Sequence, residues 1–349
     1  MESSFKLVTA RDLEPKQLES FMHRTYGPVK GAFLTRHGGW WYRGEEQRWA
    51  VLANQQIAAY CGVIPTVCRM AGVPQAAVWW VDLFVAPEFR GFGLQRLFDQ
   101  AIRHRADLKL GFPNRLAARI HLRHGWGVRE DFRMLLLPLA PTRIWPLRAI
   151  HGLRGAVLKA GAGALGPAAR WLRGRLSNYA PRSARLVDDP NSAMLAELFA
   201  RHQDRNIVTS ERDSDFIQWR YLDAPYRGAM RFYLAGPPDD PRVALISRTV
   251  DRPGCRMVRI LDLFGALSDR ALLRDVLLLC LRDSVHDQAD QVTMLATQPA
   301  LRGILRSIGF VAGAKVPFCW HSEAAETAAL LQRSTCHFCL ADSDHDEPG

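Results

Sequence analysis

Ala77 to Val85 is apolar on both faces apart from Asp82, and Pro87 stops it. A strand of that kind is satisfied only in the middle of a sheet covered on both sides. Pro87-Glu88-Phe89-Arg90-Gly91-Phe92-Gly93 then turns the chain. From there Leu94, Leu97, Phe98, Ala101 and Ile102 recur at helical spacing, with Gln95, Arg96, Asp99 and Arg103 opposite them. A buried strand, a glycine turn and an amphipathic helix in that order commit the region to a layered α/β architecture.

The surrounding residues extend the same pattern. Phe5 to Thr9 reads as a strand and Glu14 to Tyr26 as a helix, while Arg48 to Tyr60 and Gly62 to Met70 read as neighbouring strands that turn at Ala71-Gly72-Val73-Pro74. Leu108 to Phe112 follows as a strand, Arg115 to Arg123 as a helix and Phe132 to Leu137 as a strand closing the first sheet. Residues 190–322 repeat the order, and an offset of 180 lays Asp82-Leu83-Phe84 on Asp262-Leu263-Phe264. A chain of 349 residues is too long for one core. The expected organisation is a first domain at 1–140, a connector at 141–189, a second domain at 190–335 and a tail at 336–349.

The formal net charge of +11 is concentrated rather than spread. Between Asp131 and Asp188 no acidic residue occurs, while Arg133, Arg143, Arg148, Arg154, Lys159, Arg170, Arg173, Arg175, Arg182 and Arg185 do. This Pro-, Gly- and Ala-rich stretch includes a short basic helix from Pro167, with Leu165, Trp171, Leu172 and Leu176 on one side. It reads as an inter-domain linker helix or, alternatively, as a segment lying on anionic lipid through residues 143–185. No base-reading motif is present, so specific nucleic-acid binding is not expected. The charged start has no signal-peptide pattern and no apolar run approaches a membrane span, so a cytoplasmic protein is expected, with peripheral contact at the inner membrane face as the lipid reading's consequence. Seven scattered cysteines argue for thiols. Cys336-His337-Phe338-Cys339 has metal-like spacing but no second pair beside it, and no metal is expected.

The turn after the apolar strand carries the chemistry. Glycines there let the main chain approach an anion, the first helical N–H groups lack partners, and Arg90 adds a charge. A diphosphate is the ligand such a turn suits. The stretch resembles the GNAT acyltransferase superfamily, which binds coenzyme A through Gln/Arg-x-x-Gly-x-Gly/Ala: Arg90, Gly91 and Gly93 match, while Glu88 departs from the preferred Gln or Arg. A second family pattern, Asn-x-x-Ala-x-x-x-Tyr-x-x-x-Gly-Phe, is met by Asn114, Ala117, His121, Gly125 and Trp126, with histidine replacing the tyrosine. In the second half Arg270, Ala271 and Leu273 stand where Arg90, Gly91 and Gly93 stand in the first, and side chains there obstruct a phosphate. The expected fold is therefore two tandem GNAT-like domains, each a mixed, mostly antiparallel sheet flanked by helices, with a degenerate second copy.

The resemblance implies a coenzyme-A-dependent N-acyltransferase with acetyl-CoA, or another acyl-CoA, as co-substrate. It implies that Phe84, Val85, Arg90, Gly91, Phe92, Gly93, Leu94 and Asn114 bind the cofactor, the central strand splaying near Val85 to expose main-chain N–H groups. His121 takes the tyrosine's place as proton donor to the sulfur; the other reading is a surface histidine, with His124 as a rival. Asp82 and Glu45 are the candidate bases; the other, commoner reading of Asp82 is a buried carboxylate bonded to backbone. Trp40, Trp41 and Tyr42 wall the acceptor pocket or cap the core. The acceptor implied is a small or lipid-linked primary amine such as an amino sugar. Two other functions are compatible with a doubled fold: a Fem-like aminoacyl transferase using charged tRNA, which would need no glycine cradle, and a non-catalytic binding module.

Overall fold

The computed structural model describes residues 5–148, 150 and 152–344. The first half runs β1 (Phe5–Thr9), α1 (Pro15–Trp41), β2 (Arg48–Ala53), β3 (Gln56–Met70), β4 (Val73–Val85), α2 (Gln95–Arg103), β5 (Leu108–Gly111), α3 (Arg115–Arg123), β6 (Gly127–Arg129) and β7 (Arg133–Pro138). Helices α4 (Trp145–Arg148), α5 (Gly152–Ala164) and α6 (Gly166–Ser177) form the connector. The second half runs β8 (Ala184–Val187), α7 (Ser192–His202), β9 (Ile207–Ser210), α8 (Ser214–Ile217), β10 (Met230–Ala235), β11 (Val243–Arg252) and β12 (Cys255–Gly265). It continues with α9 (Arg270–His286), β13 (Gln291–Ala296), α10 (Pro299–Ile308), β14 (Val311–Lys315), β15 (Phe318–Ser322), α11 (Ala325–Arg333) and β16 (Thr335–His337).

Among the described residues the strands form two mixed sheets, each largely antiparallel. The first is ordered β1-β2-β3-β4-β5-β15-β6, with β9 and β16 attached beside β3, and the second β14-β7-β13-β12-β11-β10-β8. The two halves have exchanged a strand. Phe132 to Leu137 does form a strand, but instead of closing the first sheet β7 lies between β13 and β14 in the second. Its place in the first sheet, between β5 and β6, is taken by β15. Pairing with the other half leaves alternation and local propensity unchanged, so sequence periodicity is blind to it. The exchange also makes each sheet incomplete without the other half.

A local two-fold relation accompanies it. The Trp40 indole donates to the Trp219 carbonyl at 2.9 Å, and the Trp219 indole donates to the Trp40 carbonyl at 2.6 Å. Trp40, Trp41 and Tyr42 thus pack at the seam between the halves, where Trp41 and Tyr42 are completely buried.

Three boundaries differ from the sequence reading. The turn between β2 and β3 falls at Asn54 and Gln55, both with positive φ, a two-residue hairpin that needs no glycine. Gly27-Pro28, which reads as a helix stop, is a kink inside α1, because Pro28 is tolerated at the start of a new helical segment. The stretch 336–343, expected as a tail, is buried: Cys336, Phe338 and Leu340 sit in the core, and Arg220 donates to the Ser343 carbonyl at 2.8 Å. Residues 345–349 lie outside the described residues.

The connector is tied down as well. Asp275 on α9 accepts from the Ser183 hydroxyl at 2.8 Å and from the N–H groups of Arg182, Ser183 and Ala184, and Tyr179 donates to it too. Burial opposes its charge, but these donors hold its carboxyl down at about 2. Leu172 and Leu176, which on the alternative lipid reading share one side with Trp171 and Leu165, pack on the second core, leaving Trp171 and Leu165 exposed. The side chains of Arg148 and Arg154 lie outside the described residues.

Candidate active site

At the end of β4 the sheet opens. β4 pairs with β5 in parallel only from Ala77 with Leu108 to Trp79 with Leu110, although β4 continues to Val85. The expected splay is present, and the β5 side of residues 81–85 has no strand partner. On the β3 side Tyr60 faces Phe84 and Gly62 faces Val81, so two residues of β4, Asp82 and Leu83, oppose one. This bulge holds Asp82 at φ 54°, a left-handed conformation that aspartate tolerates better than most residues.

The turn that follows is bare. Gly91 and Gly93 have φ of 93° and 71°, and a Cβ at either would meet no atom within 4 Å. Helix α2 begins without a side-chain cap. The Arg96 N–H donates to Gly93 at 2.9 Å and that of Leu97 to Leu94 at 3.1 Å, but the N–H groups of Gly91, Phe92, Gly93, Leu94 and Gln95 find no acceptor among the described residues. Open space, unpaired donors and the positive end of a helix coincide here. Arg90 lies alongside, its Nε donating to the Val85 carbonyl at 3.2 Å. Phe92 is exposed, with its ring edge against Phe5. The other expected contacts are less free: the Leu94 side chain is buried, leaving only its main chain to the turn, and Phe84 packs against Phe21 and Tyr26. Asn114 caps α3, its Oδ1 accepting from Leu116 and Ala117 at 3.0 and 2.9 Å.

The three expected catalytic residues are not one cluster. His121 is buried on the α2–α3 side of the first sheet, between Trp80 and Trp126, and Gln95 Nε2 lies 3.3 Å from its Nδ1. It is therefore not a surface histidine. With the amide donating, the ring proton sits on Nε2. Loss of hydration pushes its pKa down to about 4, so the ring is neutral at physiological pH. Its expected role as an imidazolium acid needs a proton that this environment removes.

Asp82 and Glu45 belong to a different, continuous network. Asp82, sealed from solvent, is paired with Lys30 at 2.6 Å and accepts from the Tyr42 hydroxyl at 2.7 Å and the Trp41 indole at 3.4 Å. The Tyr26 hydroxyl donates to the Asp82 carbonyl at 2.6 Å. Burial, and then the Asp82 charge, hold Tyr26 and Tyr42 protonated well above the usual phenol range. The Tyr42 ring lies on Gly62, where a Cβ would overlap it, and faces the Arg48 guanidinium, which is ion-paired with Glu45. Glu45, at 47% side-chain exposure, is the end of this chain that solvent reaches. The sequence reading missed Lys30, Tyr42 as a partner, and Arg48; the lysine follows the Gly27-Pro28 kink, where the helix was expected to have ended.

The second half carries a counterpart of the bulge and of its buried aspartate. β12 bulges at Leu261, and Asp262 is paired with Arg212 at 2.6 Å and hydrogen-bonded by Tyr221, as Asp82 is by Lys30 and Tyr42. Arg212, completely buried, also pairs with Asp342 at 2.8 Å. Asp262, His337 and Cys339 lie close enough to be read as a ligand cluster, but the guanidinium already supplies the positive charge that Asp262 faces. The α9 turn lacks the glycines of the α2 turn and is capped as well: the Asp269 carboxylate accepts from the N–H groups of Ala271 and Leu272 at 3.0 and 3.1 Å. The helix end left open to an anion in the first half is closed here by an anion of the chain itself.

No protein-family model and no curated protein matches this sequence. Solved structures do match in fold. A GCN5-related N-acetyltransferase from Anabaena variabilis superposes with a TM-score of 0.60 at 15% identity, over 91% of this chain and 72% of that one. The N-myristoyltransferase of Saccharomyces cerevisiae, solved with bound myristoyl-CoA, gives 0.61 at 12% identity, over 92% and 83%. A probable N-acyltransferase from Enterococcus faecalis gives 0.57 at 9%, over 92% and 72%. Two mixed sheets, each with a bulged and splayed central strand, thus give the chain a GNAT-like fold, similar to that of these structures.

Proposed function

We propose that the protein is an N-acyltransferase that takes its acyl group from coenzyme A in the first half of the chain. The observation that carries this reading is the bare turn at residues 90–95 beside a splayed strand. A diphosphate resting there meets five main-chain N–H groups and Arg90. The pantetheine arm then follows the unpaired side of β4 along residues 81–85, bringing the thioester to the bulge, where a main-chain N–H near Val85 polarises its carbonyl. The amine nitrogen attacks that carbon, the C–S bond breaks, the thiolate leaves and takes its proton from water, and the amine loses a proton to a base.

The two sides of the first sheet divide this work. On the α2–α3 side the neutral His121 offers an Nε2–H as hydrogen-bond donor to the departing sulfur rather than a full proton. On the other side the acceptor approaches the network ending in Glu45, which takes the amine proton directly or through water. Asp82, sealed and paired with Lys30, positions the bulge. The acceptor is a primary amine, an amino sugar or a lipid-linked precursor, and a lipid-linked acceptor agrees with the connector. Trp171 is 64% exposed there, and Arg175, Arg274 and Arg306 line a cleft of about 530 Å³ beside it. No helix among the described residues is long and apolar enough to cross a membrane.

Calorimetric titration with coenzyme A, acetyl-CoA and myristoyl-CoA tests the donor, and thiol release with an amine panel tests the transfer. Saturable binding of the coenzyme, followed by amine-dependent thiol release, is expected. Absence of binding by all three refutes the assignment.

A further inference from the structure

A second cavity, of about 350 Å³, lies in the other half, at the mouth of the splay between β12 and β13. These strands pair only from Met257 with Gln291 to Ile260 with Met294, and both continue beyond. Phe264 and Gly265 from the end of β12, Gln298 just after β13, and Leu267 from the α9 turn border the cavity, with α7 and β16 completing its wall. It occupies the position in the second half that the pantetheine arm is proposed to take in the first.

Four buried side-chain nitrogens on this wall have no hydrogen-bond partner: His202 Nε2, Gln203 Nε2, Gln298 Nε2 and His337 Nδ1. Polar atoms buried without partners are rare and costly, so four around one cavity specify a ligand's polarity. His337 Nε2 donates to the Leu263 carbonyl at 2.6 Å, which leaves Nδ1 with a bare lone pair that accepts. The two carboxamide nitrogens donate. Burial lowers the pKa of both imidazoles below the usual histidine value. Among the described residues no lysine or arginine lines the cavity, Asp204 does, and Asp269 already closes the α9 turn. An anion therefore finds no counter-charge. Phe199, Ile207 and Phe264 supply an apolar wall.

We propose that the second half holds its own small-molecule site in this cavity, built for a neutral ligand that carries hydroxyl or amide groups on one side and an apolar face on the other. Groups that both donate and accept answer the mixed set of orphan atoms, and the apolar face meets the phenyl rings. The site does not depend on coenzyme A binding in the first half.

The test uses the full-length protein with N-acetylglucosamine and N-acetyl-leucinamide as neutral probes and citrate as the anion, read by saturation-transfer NMR and titration. At least one neutral probe is expected to bind saturably and citrate not at all. Gln298→Leu is expected to weaken that binding tenfold or more, and Leu267→Trp, on the half-buried turn, to abolish it by filling the space. Coenzyme A titration stays unchanged in both variants, which separates this site from the first. Should Gln298→Leu fail to fold, Leu267→Trp decides alone. No saturable binding of either neutral probe, preference for citrate, or undiminished binding in Leu267→Trp overturns the proposal.

Discussion

Replacing Gly91 and Gly93 together by alanine separates what the cradle does for binding from what it does for stability. Both sit at positive φ, where an L-residue pays about 1–2 kcal/mol of strain. Because no atom lies within 4 Å of either added Cβ, strain is the only folding cost, about 2–4 kcal/mol for the pair. The effect on binding is separate. A methyl group on the open side of the turn holds a diphosphate off the main chain, and a hydrogen bond to a charged group contributes about 1.5–3 kcal/mol. Losing two such bonds weakens coenzyme A by about a hundred- to ten-thousandfold. Gly125→Ala is the control, since Gly125 also has positive φ (81°) and open space around its Cβ, but it follows α3 and is not part of the turn before α2. Calorimetry with coenzyme A and chemical denaturation of the three proteins give both quantities. If the double variant binds coenzyme A like the parent, or if Gly125→Ala loses as much affinity, the anion-cradle argument is wrong.

Other expectations follow from the buried charges and the surface. His121 has its pKa lowered from 6.5 to about 4 in the folded chain, so the unfolded chain binds the extra proton between those values. Its contribution to stability is intact above about pH 6.5 and falls by about 3 kcal/mol as the pH drops to about 4; denaturation curves of His121→Asn should show a correspondingly flatter acid limb, and an identical limb would contradict the assignment of a neutral ring. Arg212→Met strands Asp262 and Asp342 without their cation and should destabilise the chain by about 3–5 kcal/mol in urea titrations; a loss under 1 kcal/mol would mean that the buried carboxylates are not charged. Arg175→Gln with Arg306→Gln removes two charges beside Trp171, and at about 1 kcal/mol each should reduce binding to phosphatidylserine vesicles about thirtyfold in sedimentation; unchanged binding would place the lipid contact elsewhere or nowhere.

The sequence was most informative where function and local geometry coincide. A strand apolar on both faces, a turn containing Gly91 and Gly93 and the helix from Gln95 are fixed by neighbours in the chain, and the structure has all three. The lack of glycines in the second turn was legible too, from Ala271 and Leu273, although the Asp269 cap that closes it becomes visible only as hydrogen bonds. His121 stands at the expected position, but its character does not follow from position. The burial that neutralises it comes from Trp80 on β4, Trp126 beyond α3 and Gln95 on α2.

What the chain alone determined, then, is the set of local units and their order, because hydrophobic period, turn chemistry and helix ends depend on residues a few places apart. Three things were settled only by tertiary structure. The exchange of β7 and β15 between the sheets joins residues from about 150 to more than 200 places apart, and any strand of the right alternation fits either place. The pairing of Asp82 with Lys30, and of Asp262 with Arg212, arises because a buried carboxylate must find a cation wherever the fold delivers one. And the cavity in the second half exists because two strands diverge after Ile260 and Met294, a property of how sheets twist and bulge that no single strand's composition records.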